Sequence, residues 1–107
     1  MSDQMMTSVA TKVTSNAKVV AAIGRPYVDR IIVTNVDAAV RYLQTFDALT
    51  ADVTVGTTAP TMPYAIPATA TLVIPIHKVF ATGLVYAVTT TSTGNTGATE
   101  AWVEVFI

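Results

Sequence analysis

The last nine residues of the chain alternate between apolar and polar or aromatic positions with a period of two. One set of alternate positions is Ala101, Val103 and Val105, and the other is Glu100, Trp102, Glu104 and Phe106. Successive side chains of a β-strand point to opposite faces of the sheet. The alternation therefore predicts a final strand over residues 99–107, with the first set in the core and the second facing outward.

The rest of the chain is rich in Val, Ile, Thr and aromatic residues, which favour strands, and Gly and Pro interrupt it at short intervals. Several short strands at such spacing are typical of a sandwich or barrel. Strands are predicted over residues 18–23, Tyr27–Asn35, 40–46, Met62–Ile66, 69–76 and 84–91. A further short strand at residues 52–55 is an option within the loop of residues 47–60, and helix is the alternative over residues 36–49, where Ala38, Ala39 and Leu43 favour it.

Prolines and turn residues define several connections. Pro60, Pro63 and Pro67 surround Met62–Ile66, and proline cannot donate to a sheet ladder, so this segment is expected to be an edge strand. Residues 35–39 are expected to form a tight connection through hydrogen bonds from Asn and Asp side chains to the backbone. Residues 92–97 are expected to form a turn rich in Gly and Asn.

The length and composition indicate one domain that is stabilised by neither disulfide bonds nor a thiolate-bound metal ion. A chain of 107 residues forms a single core, and the absence of cysteine excludes disulfides and thiolate zinc sites. Residues 1–16 alternate poorly and predict a flexible N-terminal arm, followed by one domain over residues 17–107. The polar start and the lack of an apolar stretch of ~18 residues predict neither a signal peptide nor a membrane helix.

Charged residues are scarce, which bears on the class of partner. They make up 12% of the chain, against 51% apolar residues, and the net charge is -1. Six dispersed cations do not form the basic surface that nucleic acid requires. A small β-rich protein with so little charge tends to associate. We therefore expect protein partners to cover part of the surface.

No catalytic, metal or cofactor site is predicted. His77 is the only histidine and no carboxylate lies near it in sequence, so it is interpreted as a polar residue at a strand end. The serines lie outside any nucleophile elbow. Asp47 and Asp52 could share calcium, but their spacing differs from an EF-hand loop. Glu100 and Glu104 lack the sugar cleft of a glycosidase pair. The protein is thus expected not to be an enzyme.

Trp102 and Phe106, flanked by Glu100 and Glu104, are the predicted interface residues. Large apolar anchors within a charged rim are typical of protein interfaces. The alternative is that a loop or the N-terminal arm of the same chain covers them. An arm donated by a neighbouring subunit would satisfy both interpretations.

Six segments in order resemble the head decoration or cement proteins of tailed bacteriophages, over residues 27–105. The segments are Ile32-Val33-Thr34-Asn35, residues 40–47, Val55-Gly56-Thr57-Thr58-Ala59-Pro60, Ile66-Pro67-Ala68, Phe80-Ala81-Thr82-Gly83-Leu84 and residues 86–91. The resemblance implies a jelly-roll-like antiparallel β-sandwich of seven to eight short strands. It brings no catalytic residues.

The resemblance also implies partners and a location. Such proteins are made in the host cytoplasm, assemble as homo-oligomers, with a trimer as the suggested size, and bind the major capsid protein shell at the virion surface. Neither nucleic acid nor membrane is an expected partner. The alternatives are another phage component, such as a tail, fibre or adaptor module, and a carbohydrate-binding β-sandwich in which Trp102, Tyr42 or Tyr86 stacks on a sugar.

Overall fold

The computed structural model describes Thr11–Val13 and residues 19–107 of the chain. These residues form eight β-strands and one short 3-10 helix at Thr50–Asp52. The strands are β1 (Thr11–Val13), β2 (Val19–Ile23), β3 (Tyr27–Asn35), β4 (Arg41–Asp47), β5 (Met62–Ile66), β6 (Thr71–Val79), β7 (Gly83–Thr89) and β8 (Ala101–Phe106). The all-β prediction is confirmed.

The strands form two four-stranded antiparallel sheets, in the orders β1-β8-β3-β6 and β2-β7-β4-β5. The first strand pairs with the last, the second with the seventh, the third with the sixth and the fourth with the fifth. This is the connectivity of one long hairpin wrapped into two sheets, which is the jelly roll. The predicted jelly-roll-like antiparallel sandwich is confirmed.

The core lies between the two sheets. Val33, Val103 and Ala101 project into it from the first sheet, and Leu43 and Val88 from the second; each is at most 1% exposed. The alternation predicted for the final strand is confirmed, because Ala101, Val103 and Val105 are buried while the residues between them are not.

All seven residues of strand β7 are buried, so both of its faces are covered. Its outward side lies under two loops, residues 48–61 and 90–100. Val53 of the first loop packs with Phe46 and Val85 in a second apolar cluster. Gly94 of the second loop accepts a hydrogen bond of 2.9 Å from Gln44 Nε2. Strand β7 and the middle of β4 are therefore covered on both sides.

The local predictions vary in outcome. The helix alternative over residues 36–49 is wrong, because Arg41–Asp47 is a strand, and the optional strand at residues 52–55 is absent, because Thr50–Asp52 is a 3-10 helix and Val53 is held in the loop cluster. The edge position of Met62–Ile66 is confirmed. Strand β6 runs past Pro75, which is tolerated because β6 is an edge strand with an irregular register opposite residues 28–30.

The predicted N-terminal arm of residues 1–16 contains a strand. Thr11–Val13 pairs with β8, with Thr11 opposite Val103 and Val13 opposite Ala101. The expectation of a free arm therefore fails for these three residues, and the sandwich begins before residue 17. The other residues of the predicted arm lie outside the described part of the chain.

Candidate protein interface

The outer side of the β1-β8-β3-β6 sheet is not covered by the loops that cover the other sheet. We call its outward-facing side chains on β3, β6 and β8 the open face. Its members are Arg30, Ile32, Thr34, Thr71, Val73, Pro75, Trp102, Glu104 and Phe106. All nine are exposed or half-buried, whereas their neighbours Ile31, Val33 and Val103 are in the core.

The strand register arranges the open face in three rows across β8, β3 and β6. The rows are Trp102–Thr34–Thr71, Glu104–Ile32–Val73 and Phe106–Arg30–Pro75. Side chains directly opposite in such rows have Cβ atoms about 5 Å apart. The Thr34 and Thr71 hydroxyls accordingly form a hydrogen bond of 2.9 Å.

Large apolar side chains of the open face are accessible to a partner. Val73 is 57% exposed and Trp102 is 38% exposed, and Ile32 between their strands is half-buried. The Trp102 indole N–H donates to Glu100 Oε2 at 2.9 Å, which orients the ring while leaving its faces free of that contact. A tryptophan held in this way has little side-chain entropy left to lose on binding.

The charges of the open face are unevenly paired. The Arg30 guanidinium lies over the Phe106 ring, 3.9 Å from its centroid, and its Nη1 donates to Asp29 Oδ2 at 2.8 Å. The Glu104 carboxylate, in the central row, has no hydrogen-bond or ion-pair partner within the described part of the chain. Among the side chains of β3, β6 and β8 on this face, Glu104 is therefore a charge that a partner can neutralise.

Three of the four predicted interface residues, Trp102, Glu104 and Phe106, lie together on the open face. Glu100 precedes β8 and contacts Trp102 through its side chain. The sequence reasoning missed Arg30 and Val73, which come from β3 and β6. Both faces of β3 carry apolar residues in the sequence, so the outward set could be recognised only from the register with β8.

Asp37 fixes the start of β8 and hence the position of Trp102. Its carboxylate accepts hydrogen bonds from the backbone N–H of Thr99 at 2.8 Å and of Glu100 at 3.0 Å, and from Arg41 Nε at 2.7 Å. Burial raises the pKa of Asp37, but these donors outweigh burial and lower its pKa below the ordinary value. The carboxylate is thus a structural anion inside the fold.

Asn35 adds further hydrogen bonds to the connection that contains Asp37. Its side-chain N–H groups donate to the carbonyls of Ala39, Ile66 and Pro67, and its Oδ1 accepts from the Asp37 N–H at 3.0 Å. The predicted side-chain hydrogen bonds of the residue 35–39 connection are confirmed.

Asp47, a candidate calcium ligand, instead binds backbone N–H groups of its own chain. Asp47 Oδ1 and Oδ2 accept from the backbone N–H groups of residues 81–83. Burial raises the pKa of Asp47, yet those N–H groups lower it overall. A carboxylate facing three N–H donors is poorly placed to bind calcium, and the described residues contain no cluster of three metal-ligating side chains.

His77 lies in β6, on the exposed surface. Its Nδ1 is 3.3 Å from Tyr27 Oη and 3.3 Å from Asp29 Oδ1. Asp29 is a carboxylate that the sequence analysis did not find, because it comes from β3. The His77 side chain is 62% exposed, and both contacts are at the long end of the hydrogen-bond range. This arrangement is typical of weak polar contacts at a protein surface.

The aromatic residues proposed for sugar stacking do not form one site. Trp102 is on the open face, Tyr86 is 2% exposed in the core, and Tyr42 is on β4 of the other sheet. A sugar-binding interpretation therefore depends on Trp102 alone.

Comparison with protein-family models, curated proteins and solved structures gave no significant match. Within the described part of the chain, no helix is both long and apolar enough to span a membrane.

Proposed function

We propose that this chain is a structural virion protein that decorates the capsid, binding and stabilising the shell of major capsid protein as a homo-oligomer. The observation that carries the proposal is the open face, a bare sheet surface with an oriented Trp102 and an exposed Val73. The resemblance to decoration proteins supplies the capsid as the partner. The jelly-roll fold alone does not assign a function.

The chemistry of the open face favours a protein partner over a small ligand. It combines Trp, Phe and Arg side chains, which are enriched at protein interfaces. It is a surface of a sheet rather than the concave pocket that small molecules require. Exposed apolar side chains grouped on one face mark interaction surfaces.

Within this proposal, a sibling subunit packs on the open face and the N-terminal segment contacts the shell. Residues 1–10 precede β1, which lies at the edge of the sheet beside β8. The strand that follows them along the chain thus belongs to the sheet that carries the open face. Many adjacent copies then reinforce weak individual contacts, because each bound copy raises the effective concentration of the next contact.

The direct test is sedimentation of the full chain with undecorated capsid shells assembled from the major capsid protein of the same genome. We expect binding that saturates at a fixed number of copies per shell. Absence of binding at saturating concentrations would contradict the proposal. Binding to isolated tails or fibres instead would identify the chain as a component of those parts.

Removal of residues 1–10 tests the shell contact, because the truncated chain keeps β1. We expect weaker sedimentation with shells and an unchanged circular dichroism spectrum. If the truncated chain decorates shells as well as the full chain, the N-terminal segment is not the shell contact.

Trp102→Ala tests the open face. We expect the substitution to lower the stability of the oligomer by about 2 kcal/mol or more, as for a buried aromatic anchor, measured by sedimentation equilibrium. Leu49→Ala is the control, since Leu49 is an exposed large apolar residue in the loop over the other sheet. If neither substitution changes the stability of the oligomer, Trp102 is not part of the interface. Binding of the wild type to a glycan array that is lost in Trp102→Ala would instead favour sugar binding.

A further inference from the structure

Four side chains at the centre of the open face occupy the corners of a rectangle. Arg30 lies directly opposite Phe106, and Ile32 lies directly opposite Glu104. Strand geometry makes the rectangle about 5 Å wide across the strands and about 7 Å long along them. Arg30 and Glu104 therefore occupy one diagonal, and Ile32 and Phe106 occupy the other.

This arrangement is complementary to itself. A two-fold axis that lies in the plane of the face, along the diagonal from Ile32 to Phe106, carries the Arg30 position to within about 3 Å of the Glu104 position, and the reverse. A second copy placed face to face across that axis brings each Glu104 opposite an Arg30, and brings Ile32 and Phe106 against their own copies. Such isologous contacts are the commonest among homo-oligomers.

We propose that the open face binds a second copy of this chain across this two-fold axis, through reciprocal Arg30–Glu104 ion pairs around an apolar centre of Ile32 and Phe106. Glu104 is available for such a pair, since it is half-buried and has no ion-pair partner among the described residues. Arg30 is held in place by the Phe106 ring and Asp29. It is therefore ordered for the contact before binding.

The size of the face bounds the strength of this contact. Three strands over about five residues cover on the order of 250 Å², whereas each partner in a standard interface buries about 800 Å². We therefore expect a weak dimer in solution. The inference rests on one part of the proposed function, the packing of a sibling on the open face, and does not depend on the capsid.

Two charge-reversed variants of the full chain, Arg30→Glu and Glu104→Arg, test the pairing. In a homodimer of either variant, both reciprocal pairs become like-charged, and we expect the dimer dissociation constant to rise about a hundredfold. When the two variants are mixed in equal amounts, each cross-pair is again oppositely charged. We expect the mixture to dimerise as well as the wild type, measured by sedimentation equilibrium up to about 1 mM.

Asp52→Arg is the matched control, because Asp52 is exposed in the loop over the other sheet and its replacement changes the net charge as Glu104→Arg does. We expect Asp52→Arg to dimerise like the wild type. The double variant Arg30→Glu/Glu104→Arg restores opposite charges within one chain, so it replaces the mixture if either single variant fails to fold.

A wild type that stays monomeric at about 1 mM overturns the inference. So does a mixture, or the double variant, that stays monomeric, or a single variant that associates like the wild type. A trimer also contradicts it, since a trimer has no two-fold axis. The experiment contains no shells, so its failure leaves capsid binding to its own test.

Discussion

Asp37 shows how one buried carboxylate determines the position of the candidate interface. It joins the connection after β3 to the backbone just before β8 and to Arg41 at the start of β4. Hydrogen bonds to a charged group contribute about 1.5–3 kcal/mol each. Loss of the charge therefore weakens the point at which β8 and Trp102 are anchored.

The lowered pKa of Asp37 predicts a pH-dependent contribution to stability. The contribution is complete above the unfolded-state pKa of about 3.9 and is lost as the pH falls through the lowered folded-state value. We expect Asp37→Asn to reduce the free energy of unfolding by about 2 kcal/mol at pH 7 and by progressively less toward pH 2. Urea denaturation across this pH range measures both.

Asp52→Asn is the control for this prediction, because Asp52 is exposed and its carboxylate accepts no hydrogen bond from another described residue. We expect its stability curve to follow that of the wild type within about 0.5 kcal/mol. A deficit of Asp37→Asn that stays constant between pH 7 and pH 2 would mean that packing, rather than the charge, is responsible.

At the scale of elements, the sequence was most informative where a pattern depends on one strand alone. The bounds of Tyr27–Asn35, the edge position of Met62–Ile66 and the two faces of β8 were all predicted correctly. The sequence did not indicate that both faces of β7 are buried, because the alternation of residues carries no information about loops that fold over the outer side of a strand. The short strand Thr11–Val13 was missed, because three residues give no period and the pairing with β8 stabilises them.

The membership of the open face was only partly predictable for the same reason. Trp102, Glu104 and Phe106 lie on one strand, so their shared side follows from sequence. Arg30 and Val73 join them through cross-strand register, with Arg30 opposite Phe106 and Val73 opposite Ile32. Register is a property of strand pairs, and a single sequence does not contain it.

The contact between the two covering loops can be tested at Gly56. Gly56 has a φ of +93°, and a Cβ there would lie 2.8 Å from Asn95 Cβ. We expect Gly56→Ala to lower the free energy of unfolding by about 1–2 kcal/mol from the left-handed backbone and by about 1 kcal/mol more from overpacking. Chemical denaturation measures the loss.

Gly24→Ala separates the two causes, because Gly24 has a φ of +78° and open space around its Cβ position. It should carry the backbone cost alone, so we expect it to be the less destabilising variant. Equal losses would show that residues 56 and 95 do not pack against each other in solution.

At the scale of the whole molecule, the two sheets have different surroundings. The loops of residues 48–61 and 90–100 cover one sheet, and no described loop covers the other. The protein is a jelly roll in which the hydrogen bonds of Asn35 and Asp37 join the end of β3 to the start of β8, and the open face lies on the outer side of that sheet. We interpret the open face as the surface through which copies of the chain associate on a capsid, since burying it there removes Val73 and Trp102 from water.

Cryo-electron microscopy of capsid shells saturated with the full chain tests this account most directly. We expect density for the jelly roll at regular positions on the outer surface of the shell, with the open face buried and Trp102 in a protein contact. Shells without added density, or bound copies whose open face points into solvent, would contradict the account.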